Sequence, residues 1–215
     1  MALVSSDLAD ALYKSLSHTA DCKGVSKTTP MMQQYAKGYC ACLQAGIVNN
    51  LAGTISATSP PSGGPITDGQ ASQGILVLIP SIMSAITLAG SPPGAHAMLT
   101  QENIAVLSYL MAAGRVSFAS GNIQGVSSCS PLSAGTLTGK GTEGVIGELD
   151  GGACADYVLG QIGRIGSDRK PFYTALMQYT MDNASVLYPM GSVTGTFSAG
   201  GGKLTEGAAT GGIIS

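Results

Sequence analysis

The sequence predicts an α+β fold, mainly α, built from three tandem repeats of helix–loop–helix plus a Gly/Ser/Thr-rich hairpin, arranged with pseudo-threefold symmetry. Three observations carry this expectation. A motif recurs at roughly a third of the chain length, apolar residues of helical spacing precede it, and Gly/Pro punctuation separates short alternating runs.

The motif is plainest in residues 64–76, GPITDGQASQGIL, and residues 202–214, GKLTEGAATGGII. Aligned without a gap they share Gly64/Gly202, Thr67/Thr205, Gly69/Gly207, Ala71/Ala209, Gly74/Gly212 and Ile75/Ile213. A third copy from Gly135 to Ile146, GTLTGKGTEGVI, fits when one residue is dropped. The 215 residues therefore read as one domain of three repeats, 1–74, 75–144 and 145–215.

In the first repeat, Ser5 and Ser6 are candidate N-caps for a helix through Leu8, Leu12 and Leu16. After a polar loop from Asp21 to Thr29, Pro30 stands at a first helical position, with Met31, Tyr35, Tyr39, Cys42, Leu43 and Ile47 on one face. The second repeat opens with a helix over Ile75 to Leu88 and a loop from Gly90 to Leu99. Thr100 then caps a helix through Ile104, Leu107, Met111 and Phe118. In the third, Ala153, Tyr157, Val158, Ile162 and Ile165 form the first helix. Pro171 begins the second, with Phe172, Leu176, Met177 and Leu187.

Each helix pair leads into an extended segment read as a hairpin: Gly53 to Thr67, Ile123 to Thr138 and Val193 to Thr205. The final Gly212-Ile213-Ile214-Ser215 occupies the register of Ile75-Leu76 and Val145-Ile146, the starts of the second and third repeats. It is expected to meet Leu3-Val4 and close a ring of three units, because three units are few for an open solenoid.

Composition narrows the function. Charged residues are 10% of the chain, 10 Lys+Arg against 12 Asp+Glu, for a net charge of −2. Binding to nucleic acid by phosphate neutralisation needs a basic excess that is missing here. Apolar content of 44% excludes charge-driven disorder. So little charge, with 31 Gly, suits a surface packed against partners better than that of a free monomer. The start, Met1 to Asp7, lacks the basic and apolar runs of a secretory signal. Gly74 to Gly90 is uncharged, but it is shorter than a bilayer span and contains Pro80. It reads as a buried helix, with membrane docking through Ile75 to Leu88 as the alternative.

Chemical motifs are weak. Cys22, Cys40, Cys42, Cys129 and Cys154 are odd in number and form no CxxC pair, so free thiols are expected rather than disulfides or zinc ligands. Gly139 to Gly144 satisfies G-x-G-x-x-G, yet the same register in the other repeats lacks it, which favours a repeated turn over a dinucleotide site. Lys140 and Lys203 sit in no phosphate loop. His18 and His96 have no triad context, there is no G-x-S-x-G elbow, and Glu148/Asp150 reads as a solvated helix start. No enzyme activity, cofactor, metal or small-molecule substrate is expected.

Tandem units in one chain satisfy a partner that presents three comparable faces about an axis. The Gly/Thr-rich turns, low charge, absent signal and tandem units together resemble structural proteins of tailed-bacteriophage particles, above all neck and tail components. That resemblance implies a non-enzymatic virion part, assembled in the host cytoplasm, whose partners are other structural proteins. A capsid-associated role at a threefold position is a further alternative. Candidate interface residues are Ser59, Pro60, Pro61, Gly64, Thr67, Gly69, Pro131, Thr138, Gly141, Gly202, Thr205 and Gly207.

Overall fold

The computed structural model describes residues 30–49, 53–55, 63–128, 135–137, 144–147, 170–196 and 202–214. The chain forms two compact units and visits them alternately. One comprises Met1–Gly46, Leu78–Ala113 and Glu148–Ala184; the other comprises Ile47–Val77, Gly114–Gly147 and Ser185–Ser215. The described residues of the first are mainly helical, and those of the second form a sheet.

The helical unit contains α1 (Pro30–Gln44), α2 (Pro80–Ala89), α3 (His96–Ala113) and α4 (Lys170–Asn183), with a 3-10 turn at Pro93–Ala95. Proline opens α1 and α2, where its missing N–H costs no intrahelical bond. In α3, Leu99, Glu102, Asn103, Val106, Leu107 and Leu110 recur at three and four and are all buried. Tyr35, Tyr39 and Leu43 of α1 and Phe172, Tyr173, Leu176 and Met177 of α4 are buried too. The Tyr35 and Phe172 rings meet edge-to-face with centroids 5.3 Å apart. Gly38 lets α1 approach α2 closely: a Cβ there would lie 2.8 Å from the Met83 carbonyl oxygen and from Thr87 Oγ1.

Among its described residues the sheet unit has eight strands: β1 (Ile47–Asn49), β2 (Gly53–Ile55), β3 (Gly64–Val77), β4 (Arg115–Ser127), β5 (Gly135–Leu137), β6 (Gly144–Gly147), β7 (Ser185–Thr196) and β8 (Lys203–Ile214). All pairings are antiparallel. Their order is β2-β5-β7-β6-β1-β3-β4-β8, and β7 also pairs with β8, so the sheet closes on itself. β1 and β2 share one position in the ring and β5 and β6 another, giving six positions.

Side chains fill the interior. Val48, Ile66, Leu76, Val116, Phe118, Ile123, Val186, Tyr188, Val193, Leu204, Ala209 and Ile214 are buried. Phe118 and Tyr188 pack edge-to-face with centroids 5.8 Å apart. Tyr188 donates its hydroxyl to the Val48 carbonyl, and burial pushes its pKa up.

This architecture corrects several expectations. The protein is not mainly α, because strands occupy as much of the described chain as helices do. Nor is it a set of helix–loop–helix repeats carrying small hairpins. The Gly/Ser/Thr-rich segments are strands of up to 14 residues that build a closed sheet. Their two-residue alternation is muted in the sequence because buried positions carry glycine (Gly69, Gly74, Gly207, Gly212) where a large apolar residue would announce it.

Ile75, Leu76 and Val77 end β3 rather than starting a helix, which begins at Pro80. Proline disfavours helical geometry in the residue before it, and Ile79 is extended accordingly. Thr100 lies inside α3 and is not its cap. The helical periodicities also ran too far: Ile47, Phe118 and Leu187 belong to β1, β4 and β7.

The segment 193–205 does lie in antiparallel neighbours, through β7–β8, whereas in the segment 53–67 the described pairing of β2 is with β5. The segment 123–138 does not. β4 pairs with β3 and β8, while β5 pairs with β2 and β7. That difference overturns the pseudo-threefold arrangement in chain order. Gly212, Ile213 and Ile214 end β8, which has β4 on one side and β7 on the other. Leu3, Val4 and the helices expected through Leu8 to Leu16 and Ala153 to Ile165 lie outside the described residues.

Candidate functional site

The outer face of the closed sheet is the strongest candidate. Because successive strand residues point to opposite faces, the buried Leu76, Val186 and Ile214 turn their neighbours outward. Ile75 is 41% exposed, Val77 38%, Leu187 47% and Ile213 54%. Cross-strand register brings these outward positions to similar height. Ile75 stands opposite Arg115, Val77 opposite Ile47, Ile213 opposite both Ser117 and Ser185, and Leu187 opposite Val145. Arg115 brings charge to this band, and its guanidinium donates to the Gly114 carbonyl at 2.8 Å. Large apolar side chains at such exposure mark a surface that gains by being covered.

The expected interface residues divide differently. Thr67 and Thr205 are exposed on β3 and β8, and Thr205 Oγ1 donates to the Val126 carbonyl at 3.4 Å. Gly64 opens β3 with φ 135°, a backbone geometry that glycine permits. Gly69, Gly202 and Gly207 are buried, so they cannot touch a partner. Gly69 and Gly207 are packing positions instead. A Cβ on Gly69 would lie 2.8 Å from the Ile123 carbonyl oxygen, and one on Gly207 would run into the Val193 backbone. Ser59, Pro60, Pro61, Pro131, Thr138 and Gly141 lie outside the described residues.

Two bulges also escaped the sequence reading. Between Phe118 and Ile123 on β4, and between Tyr188 and Val193 on β7, the register with the neighbouring strand slips. Extra residues therefore project outward. Gly121 (φ 89°) and Gly191 (φ 84°) make these turns, and Met190 is 79% exposed at the second. The signal was available as a second repeat: Val48/Val116/Val186, Gly53/Gly121/Gly191 and Ile55/Ile123/Val193 recur at nearly constant spacing.

The polar groups of the helical unit act as internal ties. Tyr39 and Thr180 share a buried hydroxyl–hydroxyl bond of 2.6 Å, and Thr180 donates onward to the Leu176 carbonyl at 3.0 Å. Tyr173 donates to Glu102 Oε1 at 2.6 Å, linking α4 to α3. Asn103 Nδ2 reaches Ser84 Oγ at 3.3 Å. Cys40 and Cys42 are free and buried. Cys42 donates to the Ile79 carbonyl at 3.3 Å, and burial pushes its thiol pKa up, which opposes nucleophilic use. A ring nitrogen of His96 lies 3.0 Å from the Ser91 carbonyl oxygen.

Among the described residues no three His, Cys, Asp or Glu side chains gather as a metal site. No described helix is long and apolar enough to cross a membrane. Of the G-x-G-x-x-G segment, only Gly144 is described, in β6; His18, Cys22, Cys129, Glu148, Asp150 and Cys154 lie outside the described residues. No protein-family model matches the chain, and neither a curated protein nor a solved structure matches it.

Proposed function

We propose that this chain is a non-enzymatic structural subunit of a large symmetric assembly, and that the assembly is a tailed-phage particle in which it serves as a neck, tail or baseplate part. The observation that supports this reading is the band of exposed Ile75, Val77, Leu187 and Ile213 on a chain with only 10% charged residues. Such a surface is stabilised when another subunit covers it. Its partners on this reading are other structural proteins of the particle. The segment of the membrane-docking alternative, Ile75 to Leu88, is divided between a strand and a helix.

Sedimentation velocity of the purified chain across a concentration series tests the surface. Association into discrete larger species is expected, with Leu187→Lys and Ile213→Lys each shifting the distribution to monomer while the circular dichroism spectrum is unchanged. A wild-type chain that sediments as a monomer throughout, or variants that associate as wild type does, would overturn it. Native mass measurement of the particle that contains the chain then tests its place there.

A further inference from the structure

We infer that the outward face of α3 is a contact between two copies of this chain, with the two α3 helices antiparallel about a twofold axis through their midpoints. α3 runs for 18 residues, and its exposed positions are Ala97, Gln101, Ile104, Ser108 and Ala112. At spacings of three and four they form one stripe, opposite the buried stripe of Leu99, Glu102, Asn103, Val106, Leu107 and Leu110. This face belongs to the helical unit, whereas the exposed Ile75, Val77, Leu187 and Ile213 belong to the sheet unit.

A helix with one side in water ordinarily carries Lys, Arg, Asp or Glu there. The outward side of α3 carries none. Glu102 is the one charged residue between Gly69 and Gly114, and it is buried, with Tyr173 donating to its Oε1. The helix α2, which meets α3 through Ser84 and Asn103, turns Ser81, Ala85 and Ala89 outward and adds no charge beside the stripe. Near the centre of the stripe stands Ile104, a large apolar side chain 46% exposed. Covering such a face strands no ion away from water and removes apolar surface from it.

The order of the five residues identifies the occupant. α3 spans His96–Ala113, and about its midpoint the stripe reads alike in both directions. Ala97 mirrors Ala112, Gln101 mirrors Ser108, and Ile104 lies next to the midpoint itself. An isologous contact requires such self-matching, since residue i of one copy meets residue j of the other and j meets i. Antiparallel pairing sets Ile104 against its own copy and brings the Gln101 amide beside the Ser108 hydroxyl, each both donor and acceptor. Alanines at both ends let the helix axes approach to about 8 Å. Opposed macrodipoles favour the same orientation, and a face without charge meets its own copy without repulsion. One stripe about 27 Å long and about 10 Å wide is small beside the ~800 Å² per partner of a stable dimer. The pair is accordingly short-lived between free chains and retained where other contacts hold two copies together.

Disulfide capture in the full chain tests this contact. On mild oxidation, Ile104→Cys should form a 104–104 link between two copies, mapped by peptide mass. Gln101→Cys alone should form no link to itself, because its two copies are about 10 Å apart along the axes, beyond the ~7 Å Cα separation that a disulfide spans. Mixing Gln101→Cys with Ser108→Cys should give a 101–108 link. Ala97→Cys mixed with Ala112→Cys reads the same geometry, should another variant fail to fold. The same links are expected in an Ile213→Lys background, which separates this contact from the exposed band of the sheet unit. Absence of the 104–104 link together with the mixed links would overturn the inference and leave the face to an unlike partner. Links of 101 to 101 or 108 to 108 as abundant as 104–104 would overturn it too, since they report parallel or random encounter.

Discussion

Replacing Gly212 with alanine isolates the fit between β8 and the aromatic interior of the sheet. The backbone of Gly212 carries no positive φ, so alanine meets no conformational barrier there. Its Cβ, however, would lie 2.5 and 2.6 Å from two Phe118 ring carbons. Ordinary carbon contacts are about 3.5–4.0 Å, so the ring must retreat by about an ångström. Phe118 is 2% exposed and stacked edge-on against Tyr188, which leaves it little room. Overpacking of this kind costs about 1–3 kcal/mol, and the smaller chain entropy of unfolded alanine returns about 0.4–1 kcal/mol. A net loss of about 1–2 kcal/mol follows, or a fall in Tm of about 2–8 °C for a chain of this size. Thermal and urea denaturation followed by circular dichroism would measure it. Adding Phe118→Leu should restore part of the loss, with a coupling of about 0.5 kcal/mol or more in a double-mutant cycle. A variant as stable as wild type, or a double variant whose losses simply add, would refute the placement of β8 against Phe118.

Other perturbations have distinct signatures. Tyr39→Phe removes the donor to Thr180 in the helical unit and should cost about 1 kcal/mol in urea titrations, with no effect on sheet contacts. Tyr188 keeps its proton in the folded state above the pH at which an unfolded tyrosine loses it, about 10. Its contribution is whole below that pH and is lost as pH rises towards the raised folded value. The urea midpoint of wild type should therefore fall above about pH 10, while Tyr188→Phe should weaken the chain at neutral pH and fall less steeply.

The sequence made some elements legible and concealed others for physical reasons. Pro30 begins α1 and Pro171 lies in the first turn of α4, because proline suits a helix start. Pro80 carried the same message, but the uninterrupted apolar run Ile75-Leu76-Val77-Leu78 fits a buried strand and a buried helix equally well. The Gly-x-x-Thr repeat was visible and corresponds to β3, β5–β6 and β8. The partners of those strands were not visible, since matching positions carry matching residues and local sequence has nothing with which to choose among them. On the outer face, Thr67 and Thr205 occupy matching positions of that repeat. In the sequence Ile75 and Ile213 read as starts of new units, because burial on one face only is hard to read where the opposite face carries glycine.

Closure of the sheet also limits how a neighbour can be engaged. β4 and β8 are each paired on both sides with strands of the same molecule. A partner cannot extend this unit by adding a strand there, as it could at an open rim. A partner of these strands would be recognised by side-chain shape and hydroxyl chemistry, so single substitutions on the exterior should alter its binding without touching the hydrogen-bonded frame beneath.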